Sequence, residues 1–308
     1  MPIKIPSTLP AADLLKSEGV FVMDEGQAMR QDIRPLQIAI LNLMPDKLKT
    51  EMQLARLIGS TALQVELTLM TPASYKPTNT AEEHLTEFYK TWPEVKHRKF
   101  DGLVITGAPV EHLPFEEVKY WEELKSIFDW SQSNVMSTFT LCWAAQAALY
   151  HFHRIPKVNL PSKMFGLFSY RTVSMKPHIL RGFDDVYTMP VSRHTEVLER
   201  DISAISDLTI LSKSPHVGVG LVIDGRHRII CNFNHLEYDV DTLGNEYMRD
   251  IKLGKGIAMP TNYYPNDNPT NQPCNTWRAH AHLLFANWLN ETYQKTPFNI
   301  ENIPEVTM

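Results

Sequence analysis

Cys142 stands where the character of the chain changes: residues 134–141 are β-prone and alternating, whereas residues 143–150 form an Ala-rich run suited to a helix. A strand that turns sharply into a helix throws the side chain at the turn outward. The free N–H groups and positive end of the helix then favour a thiolate over a thiol. Such a turn is a nucleophile elbow. Far downstream, residues 228–233 read as a buried strand that leads to His235 and Glu237. Residues two apart at a strand end lie on the same side. His235 is thereby the candidate base for the thiol. Glu237, placed by that alternation or by a backbone turn, is the candidate to orient the imidazole and stabilise its charged form. Their distance along the chain is no obstacle, since such partners meet in space. The chemistry that these residue types offer is nucleophilic catalysis through a covalent intermediate.

Those groups need elements to hold them. Residues 1–35 read as a Pro-containing arm whose short amphipathic piece, 11–16, packs on a neighbour. Residues 36–308 read as one α/β domain. Strands are expected over 36–43, 65–70, 102–106 and 135–140, and helices over 46–58, 81–90, 116–131 and 143–150. Strand and helix in alternation predict a doubly wound, mostly parallel sheet. Ligands bind such sheets at the carboxyl ends of the strands, where Gly107, Cys142 and His235 would all fall. After about residue 158 come shorter β-like runs at 165–174, 185–191, 208–211, 217–223 and 228–233, which extend the sheet into an antiparallel flank. Residues 241–252 and 276–293 are expected helices. The Asn- and Pro-rich stretch 262–273 suits neither regular state and reads as a long loop, a candidate flap over the site.

Composition narrows the function classes. With 308 residues, 43% hydrophobic and 21% charged, the chain can bury a substantial core. Thirty basic against 35 acidic residues give a net charge of −5 without a long Lys/Arg run, which argues against nucleic-acid binding. Three cysteines, at 142, 231 and 274, make an odd set with no CxxC pair, as suits a reducing cytosol. Cys231 reads as a small buried hydrophobe and Cys274 as an incidental loop thiol. The N-terminus has no apolar leader and no uncharged stretch of about 18 residues occurs, so neither secretion nor a membrane span is expected and the location reads as cytoplasmic. His151 with His153, and His280 with His282, are two apart; on a helix such pairs face different directions and make no metal pair. Lys47 follows a strand, where it either approaches an anion or is a solvated helix-start lysine.

The stretches 140–144 (TLCWA), 235–237 (HLE), 42–47 (NLMPDK) and 106–111 (TGAPVE) together resemble the bacterial homoserine O-acyltransferases of the homoserine transsuccinylase family, and the resemblance covers essentially the whole chain. It implies a flavodoxin-like, class I glutamine amidotransferase-like fold and a ping-pong acyl transfer. Acyl-CoA would acylate Cys142, and the hydroxyl of L-homoserine would then take the acyl group, in methionine biosynthesis. By motif match Cys142 is the nucleophile, His235 the general base and Glu237 its partner. Lys163 (in 161–165, PSKMF), Ser192 (in 191–194, VSRH) and Arg249 (in 247–250, YMRD) match substrate-contacting positions. The resemblance also implies a homodimer and no cofactor, acetyl-CoA being a co-substrate. Family members with Gly at the end of the 107–111 loop use succinyl-CoA and those with Glu use acetyl-CoA. Here the residue is Glu111, whose carboxylate would fill space and repel the second carboxylate of a succinyl group.

The resulting expectation is a homoserine O-acetyltransferase. Its oxyanion would be met by the backbone N–H groups of Trp143 and Ala108, and the homoserine carboxylate by Arg249 and Ser192. Alternatives are a homoserine O-succinyltransferase, a glutamine amidotransferase-like cysteine hydrolase, and a non-catalytic binding protein. Against the hydrolase, Thr140 and Ala144 stand where the usual glutaminase elbow, Gly-x-Cys-x-Gly, has glycines.

Overall fold

A computed structural model of the chain describes residues 3–4, 9–17, 22–23, 34–75, 80–173 and 177–306. Its strands are β1 (Ile3–Lys4), β2 (Val22–Met23), β3 (Leu36–Leu41), β4 (Val65–Thr71), β5 (Tyr89–Thr91), β6 (Phe100–Ile105), β7 (Val135–Leu141), β8 (Val158–Thr172), β9 (Val186–Glu196), β10 (Leu208–Ser214), β11 (Gly218–Asp224) and β12 (Ile229–Asn232). They form one sheet in the order β2-β1-β4-β3-β6-β7-β12-β11-β10-β8-β9, with β5 alongside β4. From β2 to β12 every pairing is parallel. From β12 to β9 every pairing is antiparallel. The fold is therefore α/β with a mostly parallel, doubly wound centre and a β-rich flank.

The central strands are covered on both faces, as the near-continuous apolar runs of β3 and β12 require. In β3, Ile38 and Ile40 face one core layer, with Leu54 and Ile58 of helix Lys47–Ile58 and with Phe285 and Trp288 of helix Arg278–Lys295. Ala39 and Leu41 face the other, with Leu124 and Phe128 of helix Trp121–Asn134 and with Ala144 and Ala148 of helix Trp143–His153. This is the two-residue period of a strand read out as two layers. Gly102 in β6 is what lets Trp288 lie against the sheet: a Cβ there would sit 2.9 Å from Trp288 Cζ2 and 2.8 Å from Ile38 Cδ1. Of the arm, Leu9 and, from helix Ala11–Ser17, Ala12 and Leu15 are buried in the first layer, and β1 and β2 extend the sheet beyond β4, with Ile3 between Val65 and Val22; residues 1–2, 5–8, 18–21 and 24–33 lie outside those described.

Several expected elements change their limits. The helix expected over 81–90 stops at Phe88, because Tyr89–Thr91 pairs with β4. The helix expected over 116–131 begins only at Trp121, after a 3-10 turn at Phe115–Glu117, and runs to Asn134. Strands β8 and β9 are much longer than their apolar runs, since they form one antiparallel ladder from Val158↔Glu196 to Arg171↔Val186 with an irregularity between Asn159 and Met164. The 262–273 loop contains only a short 3-10 turn, Pro265–Asp267. It is not a flap over the cysteine: none of its residues lines that pocket. Its Tyr263 hydroxyl donates to the Val240 carbonyl at 2.5 Å and accepts from Gly244 N–H at 3.1 Å, which pins the loop to helix Thr242–Lys252 instead.

Candidate active site

Cys142 follows β7 and heads helix Trp143–His153 with φ 50° and ψ −114°, a region that residues with a Cβ seldom occupy. The turn is clamped on both sides. The Cys142 N–H donates to the Asn232 carbonyl at the end of β12, 2.7 Å away, and the Cys142 carbonyl accepts from Ala145 and Gln146 N–H at 3.1 and 3.3 Å. The N–H of Trp143, in the first helical turn, has no intrahelical acceptor. Gly107, just past β6, packs directly on the nucleophile: a Cβ there would lie 3.3 Å from Cys142 Cβ and 3.9 Å from His235 Cε1. The loop that carries Ala108 thus passes beside the sulfur.

His235 lies three positions beyond the end of β12. Its N–H donates to the Pro190 carbonyl of β9 at 3.0 Å, and Tyr238 N–H closes a turn onto the His235 carbonyl at 3.3 Å. That turn, and not strand alternation, brings Glu237 to the ring, because regular β structure has already ended at Asn232. The distance from His235 Nδ1 to Glu237 Oε1 is 2.7 Å, and both side chains are only 6% exposed. With Nδ1 committed to the carboxylate, Nε2 is left to exchange a proton with the sulfur. Burial alone pushes the imidazole down. The Cys142 sulfur and the Glu237 carboxylate, as charges and hydrogen-bond partners, outweigh it and hold His235 well above its ordinary value. Tyr238 stacks on the imidazole with ring centroids 4.2 Å apart and donates to Glu246 Oε1 at 2.8 Å.

A polar wall faces the sulfur from the flank. Lys163 of β8 donates to Glu246 Oε2 at 3.0 Å, and Ser192 of β9 donates to the same oxygen at 2.6 Å. Burial raises the Glu246 carboxyl, but Lys163 and Ser192 more than offset it and leave the group below its usual range. Arg249, more than half exposed, pairs with Asp250 at 3.0 Å. Lys163, Ser192, Arg249, Glu111 and Ala108 all line one pocket of about 210 Å³ with Cys142 and His235. The Glu111 carboxyl is raised by burial, with His235, His112 and Lys163 pulling the other way, and the Lys157 ammonium donates to the Glu111 carbonyl.

The sequence reading overlooked Tyr238, Glu246, Asp250, His112 and His194 in this pocket. Glu246 and Asp250 had a usable signal: with Arg249 they lie three and four positions apart on one helix face. His112 and His194, whose rings meet at 4.5 Å, had none. Lys47 is not solvated: it is 1% exposed, donates to the Asn42 carbonyl and sits 5.2 Å from the Tyr89 ring centroid. Burial draws it down to about 8, with Glu51 opposing. His153 belongs to a separate group away from the thiol pocket, donating with His227 to Asp224 Oδ2 at 2.6 and 2.8 Å, so the three residues offer their ligand atoms within 4.8 Å of one another. Cys231 is fully buried and raised by that burial to about 12, whereas Cys274 is exposed.

Residues 2–298 match the family described as homoserine O-succinyltransferase. Relatives named homoserine O-acetyltransferase include one from Allorhizobium ampelinum, 56% identical over 303 residues (98% of this chain and 98% of that one), and one from Hyphomonas neptunium, 54% identical (98% and 99%). A third, from Brucella melitensis, is 53% identical over 99% of this chain and 100% of its own. Among solved structures, a glutamine amidotransferase from Thermotoga maritima superposes with a TM-score of 0.52 at 9% identity, covering 85% of this chain and 100% of that one. Another, from Methylobacillus flagellatus, gives 0.50 at 12% identity over 84% and 95%. Likeness at that identity is one of fold alone, the class I glutamine amidotransferase-like fold.

Proposed function

Because the chain belongs to the homoserine O-succinyltransferase family, we propose that it is a homoserine O-acetyltransferase: an acyltransferase that moves the acetyl group of acetyl-CoA, through a thioester on Cys142, to the hydroxyl of L-homoserine. The observation that carries this reading is a thiol at the head of a helix against a doubly supported imidazole, in a chain 53–56% identical over nearly its full length to proteins named for that activity.

The proton resting on His235 leaves Cys142 as the attacking thiolate. It adds to the thioester carbonyl, and the resulting oxyanion is met by the N–H groups of Trp143 and Ala108. Collapse breaks the carbon–sulfur bond to CoA, which departs with the His235 proton, and leaves acetyl-Cys142 and a neutral imidazole. Homoserine then binds against the polar wall, its carboxylate toward Lys163 and Arg249 and its ammonium toward Glu246 and Asp250. Ser192 helps to fix the pose. His235 takes the hydroxyl proton as that oxygen attacks the acetyl thioester, and the second collapse returns the Cys142 thiolate beside an imidazolium. Glu111 selects acetyl over succinyl by volume and charge. The proposal includes cytoplasmic work, which an odd set of unpaired thiols suits, and a homodimer as in the family; no described helix is long and apolar enough to cross a membrane.

The test is an intact mass after mixing protein with acetyl-CoA alone. One acetyl group is gained, Cys142→Ala gains none, and homoserine but not glutamine discharges it. Glutamine hydrolysis without an acetyl adduct would instead mark a glutamine amidotransferase-like cysteine hydrolase, and no reaction with either a binding protein.

A further inference from the structure

We propose that the pantetheine arm of the acyl donor enters through a second, apolar cleft beside the thiol pocket. There the buried Thr71 hydroxyl bonds one of its amides and Lys119 meets the phosphates at the mouth. The inference rests on the acyl-CoA reading above and deepens it. The pocket at Cys142, about 210 Å³, is smaller than the roughly 300 Å³ at which sites for drug-sized ligands begin, so an acyl-CoA must extend beyond it. One adjoining space shares three wall residues with it, Met44, Pro45 and Pro109. That cleft, about 260 Å³, is walled chiefly by apolar groups such as Leu43, Tyr75, Val110 and Leu113.

Its place in the fold supports the assignment. The walls come from the segments after β3, β4 and β6, at the same carboxyl edge of the sheet that carries Cys142 after β7 and His235 after β12. In the strand order, Lys163 of β8 and Ser192 of β9 lie beyond β7 and β12 from the cleft, and both bond Glu246 of helix Thr242–Lys252, which also carries Arg249. The thiol therefore separates a charged side, suited to a zwitterionic amino acid, from an apolar side, suited to an alkyl and amide chain. Thr71, at the end of β4 and 8% exposed, lines the apolar cleft, and its Oγ1 has no hydrogen-bond partner. A buried hydroxyl left unbonded is uncommon, and an amide of the pantetheine chain would satisfy it. Lys119 at the cleft is exposed and has no ion-pair partner among the described residues, so it is available to phosphate.

Three thioesters of decreasing reach test this: acetyl-CoA, S-acetylpantetheine, and S-acetyl-N-acetylcysteamine, which ends before the pantoyl segment. Leu113→Trp, which fills the cleft from an exposed position, should raise KM at least tenfold for the first two and leave the third and homoserine unchanged. Thr71→Val, similar in shape, should raise KM severalfold for acetyl-CoA and S-acetylpantetheine, and for S-acetyl-N-acetylcysteamine too only where the bonded amide is the cysteamine one that it retains; a merely structural hydroxyl would leave every KM alone. Lys119→Glu should weaken acetyl-CoA only. Unchanged KM for acetyl-CoA in Leu113→Trp, or an equal loss with all three thioesters, would overturn the cleft assignment while leaving the acyltransferase intact. Failure of every thioester to acylate the unaltered enzyme would instead overturn the acyl-CoA reading together with this one.

Discussion

Replacing Glu237 with Gln keeps an oxygen acceptor for His235 Nδ1 and removes only the charge. In the native site that oxygen is 2.7 Å from the imidazole in a pair that is 6% exposed on both sides, and the second carboxylate oxygen has no hydrogen-bond partner. The imidazolium is therefore the main compensation for the carboxylate, while the imidazolium itself is supported first by the Cys142 sulfur and then by Glu237. Two unit charges whose centres lie about 4 Å apart interact by roughly 4 kcal/mol at an effective dielectric constant of about 20, about a thousandfold in an equilibrium constant. Burial, which pushes the imidazole down, remains in the variant. His235, now held well above its ordinary value, should titrate lower in Glu237→Gln. The fraction of enzyme with the proton on nitrogen and the thiolate ready to attack falls accordingly, and acetylation of Cys142 should slow by roughly 100- to 1,000-fold at neutral pH. Rapid-quench mass measurement of acetyl-Cys142 without homoserine gives the rate, and NMR of labelled histidine gives the titration. A variant whose His235 titrates as in the native protein and whose Cys142 acetylates within about threefold of the native rate would refute the argument that the carboxylate supports the imidazolium.

Glu111→Gly should improve kcat/KM for succinyl-CoA relative to acetyl-CoA by about tenfold or more, a discounted share of the roughly 4 kcal/mol that two close carboxylates could cost. Because burial raises the Glu111 carboxyl, the native preference for acetyl should narrow on acidification. Competition assays with both thioesters from pH 8 to 5 check this, and a ratio that ignores both the substitution and the pH would count against the role. Asp224 is raised by burial but lowered more by its His153 and His227 donors, to about 2 from 3.8. Its carboxylate stabilises the fold above about pH 4 and loses that effect as pH falls through about 2, a contribution of roughly 2 kcal/mol. Asp224→Asn should therefore be less stable by about that amount at pH 7 in urea, with the gap closing between pH 4 and 2; a gap independent of pH would dismiss the mechanism.

What the sequence determined by itself was whatever depends on local pattern. The change from alternating to Ala-rich residues at Cys142 located the elbow, because strand and helix periods differ and the junction must turn. The alternation of strand and helix patterns over residues 36–150 announced a parallel centre, and the apolar runs of β3 and β6 marked strands covered on both faces. Tertiary structure decided whatever depends on partners distant in the chain. The length of β8 and β9 follows from their pairing with each other, and Pro161 and the polar residues around it hid that ladder. Tyr89–Thr91 is a strand only because β4 offers it an edge. Glu237 reaches His235 through a turn held by Pro190, a contact that no spacing rule foretells. Lys47 shows the same limit: beside a helix start it reads either as approaching an anion or as solvated, yet Tyr89 and Asn42 close over it. Residue order sets which groups are available and which periods they follow; the field and the space around each group are sums over neighbours that only the folded chain assembles.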